Sequence, residues 1–180
     1  MIPSEEEAVA LHRKHGSDER IIRHCEAVAW VARVLAEEFE RGGRKVDGKA
    51  VIAAAALHDI GRSQVQTVRH GVEGAEIAKN EGVDARVVEI IRRHVGAGIS
   101  AEEAKDLGLP DFDYIPRTVE ERIVCFADKL VDGDKVRPFE AEVHRFVAKK
   151  HDVARLMRLK RELQEELGED PEKVVFDKIK

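Results

Sequence analysis

A chain of 180 residues, 43% hydrophobic and 37% charged, is long enough for one substantial core, so one domain is expected. Its longest apolar run, residues 50–57, is too short to cross a bilayer. A formal net charge of -5 excludes a surface that binds nucleic acid everywhere, while a local basic patch stays compatible with it.

The acidic start "MIPSEEEA" lacks the apolar stretch of a secretion signal, and a cytoplasmic location is expected. Apolar positions then recur at helical spacing, as in Ile21, Cys25, Val28, Ala32, Leu35 and Phe39, and the chain reads as all-α. Capping-box pairs at Ser4/Glu7, Ser100/Glu103 and Thr118/Glu121 mark helix starts, as does Asp170 before Pro171, while glycines at 16, 61, 82 and 168 mark stops. These signals predict helices over 4–14, 18–41, 48–60, 71–81, 84–95, 100–106, 118–132, 138–167 with a break near His151, and 171–178. "GLPDFDYIPRT", 108–118, is a fixed turn held by two prolines. Residues 1–137 form the main unit on this reading, and 138–180 a helical extension packed on it. The Leu156, Leu163 and Leu167 stripe is expected to face the core, a homodimer contact being the alternative. Cys25 and Cys125 form no CxxC pair and read as buried free thiols. Trp30 and Phe39 are expected in the core, and His12, His15, His144 and His151 at the surface. The Glu/Lys/Arg-rich balance is of the kind seen in thermophile proteins.

Four helices each aim an ionisable group at the core: His24 beside Cys25, His58-Asp59 at the end of "VIAAAAL", His94 on the face of Val87, Ile90 and Ile91, and Asp128 on the stripe of Val124 and Val131. Buried Asp is rare unless paired or metal-bound. A salt-bridge network is one alternative, but Arg and Lys fall mostly on the polar faces. Imidazole plus carboxylate suits first-row divalent metals, and inward-facing ligands from separate helices are how bundles build such sites.

The order H...HD...D, with "HDIG" at 58–61 and "ADKL" at 127–130, resembles the HD-domain metal-dependent phosphohydrolase superfamily over residues 18–135. "RHGVEGAEIA", 69–78, and "IIRRHVGAG", 90–98, are similar to the two-metal subgroups, with archaeal HDIG-domain proteins and bacterial diadenosine-tetraphosphate hydrolases the nearest likenesses. The resemblance implies one metal on His24, His58, Asp59 and Asp128, and a second on His70 and His94, with Asp59 bridging. Iron, manganese, cobalt, nickel and zinc all fit this donor set.

It further implies hydrolysis of a phosphoester or phosphoanhydride of a nucleotide or similar small phosphorylated substrate by metal-activated water. Asp59 would orient that water, and Arg62 and Lys129 would neutralise phosphate oxygens as catalytic and substrate-binding groups. A di-iron oxygenase on the same scaffold and a non-catalytic nucleotide-sensing module are the alternatives. Arg92-Arg93 and Arg44-Lys45 leave RNA ends open as substrates, though each pair reads first as a solvated helix face.

Overall fold

In the computed structural model, which describes residues 1–179, the Ala-rich segment is helix α3, Gly48–Leu57, and lies at the centre of the molecule. Seven of its residues are buried: Ala50, Val51, Ala53, Ala54, Ala55, Ala56 and Leu57. A helix apolar on all sides must be enclosed on all sides. Helices α1 (Glu5–Lys14), α2 (Glu19–Arg41), α5 (Ala85–Arg92) and α7 (Val119–Lys129) do so, the small alanines letting their backbones approach closely. Helix α4 (His70–Asn80) packs on α5 and on the 3-10 turn Ile60–Ser63 that follows α3. The short α6 (Ala101–Asp106) covers a smaller cluster around Val72, Ile99, Leu109 and Tyr114.

The all-α expectation holds: ten α-helices and a single two-stranded sheet make up the described residues. The N-caps fall where the sequence put them. Ser4, Ser100 and Thr118 all make complete capping boxes, each supplying a partner for otherwise orphaned amide groups.

Three elements end earlier than expected. Helix α3 stops at Leu57 and tightens into the 3-10 turn, because Gly61 lets the backbones meet: a Cβ there would sit 2.0 Å from the His70 carbonyl oxygen. Helix α5 stops at Arg92. Helix α7 stops at Lys129, and the chain then forms a hairpin, β1 (Val131–Asp132) paired antiparallel with β2 (Lys135–Val136). Gly133 turns that hairpin with φ +61, a left-handed conformation natural to glycine.

Beyond the hairpin, α8 (Phe139–Ala148) and α9 (Val153–Leu167) are separated by a corner at 149–152, the break expected near His151, and α10 (Pro171–Ile179) follows. Leu156, Leu159, Leu163 and Leu167 are buried in the main core, so the leucine stripe is spent within the chain. Cys25 and Cys125 are buried free thiols.

Three expectations fail. Trp30 is 37% exposed, on the outer side of α2. His12 is buried, its Nε2 donating to the Ala56 carbonyl at 3.0 Å at the end of α3, with Nδ1 2.8 Å from the Ser17 hydroxyl. Arg93 is also buried, its guanidinium bonded to the Asp113 and Ile115 carbonyls and lying over the Phe112 ring.

Because Ala54 is fully enclosed, Ala54→Leu is expected to lower stability by about 1–3 kcal/mol through overpacking. Chemical denaturation of the two proteins checks this, and an unchanged midpoint would show that α3 is looser than described.

Candidate metal centre

Helix ends carry the site. His58 is the C-cap of α3 with Asp59 directly after it, His94 follows the C-cap of α5, and Asp128 lies in the last turn of α7. Three helix C-termini, each with partial negative charge from unpaired carbonyls, converge on one point and favour positive charge there. His70 comes from the start of α4, and His24 from the first half of α2.

The carboxylate of Asp59 sits in the middle with its oxygens facing opposite ways. Its Oδ1 is 3.1 Å from His70 Nε2 and 3.4 Å from His94 Nε2. Its Oδ2 is 3.8 Å from His58 Nε2 and 4.0 Å from His24 Nε2. Asp128 Oδ1 closes the second side, 3.0 Å from His24 Nε2 and 3.5 Å from His58 Nε2. His24, His58 and Asp59 thus form one triad with donor-sized spacing, and Asp59, His70 and His94 another.

Each imidazole is oriented by its far nitrogen. His58 Nδ1 meets the Ala55 carbonyl, His70 Nδ1 that of Thr67, His94 Nδ1 that of Ile91 and His24 Nδ1 that of Gly133, all at 2.7 Å. A carbonyl can only accept, so each Nδ1 carries the hydrogen, and in the neutral ring each Nε2 turns a lone pair inward.

Lone pairs aimed at carboxylate oxygens, and at one another across the 3.1 Å between His70 and His94, repel unless a cation lies among them. His58 Nε2 and Asp59 Oδ1 are buried without a hydrogen-bond partner. The donor set fits divalent transition metals on that observation.

In the absence of metal, protons hold the cluster together. Burial is the largest influence on Asp59 and Asp128 and pushes both upward, yet both lie well below the usual carboxylate range. His58, His70 and His94 outweigh burial at Asp59, as do Lys129, His24 and His58 at Asp128. Burial likewise opposes the charge on His58, but Cys25 and Asp59 raise it well above the ordinary imidazole value. His94, deep and next to other imidazoles, is pushed down to about 4 and stays neutral.

All six residues expected as ligands are brought together here. Arg62 and Lys129 stand beside them in a different posture from the one expected: Arg62 Nε is 2.6 Å from Asp59 Oδ2 and Lys129 Nζ 2.5 Å from Asp128 Oδ2, so each is paired to a carboxylate of the cluster. A cavity of about 690 Å3 opens over the centre. Its far wall comes from the C-terminal extension, through Arg145, Phe146, Lys149 and His151, none of which the sequence reading marked as functional. Gly133 was missed for a plain reason, since it acts through its backbone oxygen.

The HD-domain model matches residues 21–132, and the chain belongs to the HD-domain family. It is 39% identical over 178 residues to a tRNA (cytidine(56)-2'-O)-methyltransferase of Picrophilus torridus, covering 98% of this chain and 51% of that protein. A protein of the same name from Thermoplasma volcanium is 39% identical over 176 residues, 97% of this chain and 51% of that one. The chain therefore spans about half the length of these two relatives. An uncharacterized protein of Methanocaldococcus jannaschii is 46% identical over 122 residues, 68% of this chain and 72% of that one. No solved structure matches.

These names overturn the expectation of a phosphohydrolase, and with it the hydrolase assignment. The relatives with a named activity are methyltransferases. The expectation took the reaction from the family resemblance, but a shared fold and donor set leave open what is done beside the site. Among the described residues no helix is long and apolar enough to cross a membrane.

A folded carboxyl with a depressed pKa binds fewer protons than its unfolded counterpart, whose value is about 3.9. The stability from Asp59 and Asp128 is therefore complete above that value and lost as pH falls through their folded values. Urea unfolding of chelator-treated protein between pH 7 and pH 3 is expected to show a steeper loss below pH 5 for wild type than for Asp128→Asn. Equal slopes would show that Asp128 is not held ionised by its neighbours.

Proposed function

We propose that this chain is a metal-holding HD module that works on tRNA in ribose 2'-O-methylation. The observation that carries this is the 39% identity to named tRNA methyltransferases along almost the whole chain. Because the match takes in about half of each relative, the role assigned here is binding and positioning of the RNA, in one system with the methyl-transferring part. The location that goes with tRNA is the cytoplasm.

On this reading His24, His58, Asp59 and Asp128 hold one divalent ion, and His70 and His94 a second, with Asp59 shared. The four backbone carbonyls that fix the imidazoles support it, as do the orphaned His58 Nε2 and Asp59 Oδ1. When bound, the ions supply positive charge and Lewis acidity toward ribose or phosphate oxygens.

The chain's own residues do the rest. Lys129 keeps Asp128 ionised, Arg62 holds the Asp59 carboxylate in place, and the α3, α5 and α7 ends are buried on the far side of the centre. The cavity admits the RNA from the front. Its lining carries Arg20, Arg62, Lys129, Arg145 and Lys149 among an equal number of carboxylates, so a polyanion would be met by particular cations rather than by a basic surface.

Metal content of protein purified without added metal is expected near two ions per chain, with His94→Ala near one and Asp59→Ala near none. Wild type that stays folded without metal overturns the metal reading. For the RNA reading, cells lacking this chain are expected to lose ribose methylation at cytidine 56 of tRNA. Unchanged methylation, together with no binding of tRNA transcript by the purified protein, overturns it.

A further inference from the structure

The Arg and Lys side chains lining the cavity are Arg20, Arg62, Lys129, Arg145 and Lys149. Four of them are already committed: Arg20 to Asp18 at 3.1 Å, Arg62 to Asp59 at 2.6 Å, Lys129 to Asp128 at 2.5 Å, and Arg145 to Asp132 at 3.0 Å and Glu142 at 3.3 Å. Lys149 pairs with no carboxylate among the described residues and is exposed on the corner between α8 and α9. Its uncompensated charge therefore faces the cavity mouth. A polyanion entering there would gain most from this one cation, since each of the others must first share its carboxylate partner.

The same corner presents an aromatic surface. The His151 ring stands edge-on to Phe146 with centroids 5.3 Å apart at 90°, so the buried Phe146 braces an imidazole that is itself exposed. The backbone is fixed as well. Lys149 N–H donates to the Arg145 carbonyl at 3.0 Å, Lys150 N–H to that of Val147 at 3.1 Å and His151 N–H to that of Phe146 at 2.9 Å. Lys150 takes φ +56, a left-handed conformation that closes α8, and His151 follows it as part of the cavity lining. Asp152, the nearest carboxylate in sequence, is engaged as the cap of α9, accepting from Arg155 N–H at 2.9 Å.

We propose that the α8–α9 corner is a nucleotide clamp: His151, braced by Phe146, stacks on a base, and Lys149 binds the adjoining phosphate, which holds one unpaired nucleotide over the metal centre. The clamp rests on the RNA reading above and adds to it the form of RNA accepted. A cavity of about 690 Å3 is of small-molecule size and takes an unstacked nucleotide, whereas an RNA helix stays outside. Single-stranded and flipped-out bases are the ones that side chains can stack upon.

Fluorescence anisotropy with three probes tests this: a tRNA transcript, a short single-stranded RNA, and a blunt duplex of the same length. Wild type is expected to bind the single strand at least tenfold more tightly than the duplex. Lys149→Ala and His151→Ala are each expected to weaken single-strand and tRNA binding about five- to a hundredfold. Lys149→Ala should also lower the slope of log affinity against log salt by about one. Metal content and melting temperature should stay at wild-type values, and Arg161→Ala, on the exposed side of α9, should bind like wild type. If wild type binds RNA and both corner variants bind equally well, or if the duplex binds as tightly as the single strand, the clamp is overturned and the RNA reading survives. If wild type binds none of the three probes, the clamp is overturned, and the RNA reading falls with it when methylation at cytidine 56 is also unchanged in cells lacking the chain.

Discussion

A single carboxylate, Asp59, sets the terms for the rest of the molecule. It is buried at the end of an all-apolar helix, where an isolated anion would cost several kcal/mol or more. Four imidazoles surround it, two toward each oxygen. Those imidazoles come from four separate places in the chain, so the helices that carry them have to meet at this point. The packing of α2 and α5 on α3, and of α4 on α5 and the 3-10 turn, is the geometric consequence of giving one anion its counter-charges.

Backbone and side chains share this task. The centre draws on the ends of α3, α5 and α7, where unpaired carbonyls both attract cations and fix the histidine rings. Lys129 takes the outer oxygen of Asp128, and Arg62 bonds Asp59 Oδ2, the oxygen that also faces His24 and His58. What results is a pocket floor whose donor atoms are held in place and which favours a cation. It imposes little on the chemistry above it, which is why the same scaffold can sit within proteins named for a methyl transfer.

The legible parts of the sequence were those whose physics is local. Capping boxes and glycine stops located the helix ends to within a few residues, and His24, His58, Asp59, His94 and Asp128 stood out because ionisable groups at core-facing positions are costly, whereas His70 was marked only by the family resemblance. His12 could have been read from its i, i+4 relation to the buried Ala8, but neighbouring charges disguised it. The hairpin after α7 was hidden because its residues continue the apolar spacing of that helix, and only the glycine at 133 marks the turn. The cavity wall from Lys149 and His151 was out of reach, since nothing local says that a corner 57 residues beyond His94 folds back over it. The reaction was misread for another reason: it depends on what enters the pocket, and a ligand motif does not encode that.

The turn at Gly133 ties two distant parts of the chain together. Its carbonyl oxygen holds the ring of His24, 109 residues earlier. A β-carbon at 133 would meet no neighbour, but φ +61 strains an L-residue, so a substitution there would disturb the carbonyl that orients His24 while leaving the other side chains of the cluster unchanged. The imidazole at 24 and the glycine at 133 thus act as one structural unit, and backbone strain at the second is felt as ring orientation at the first.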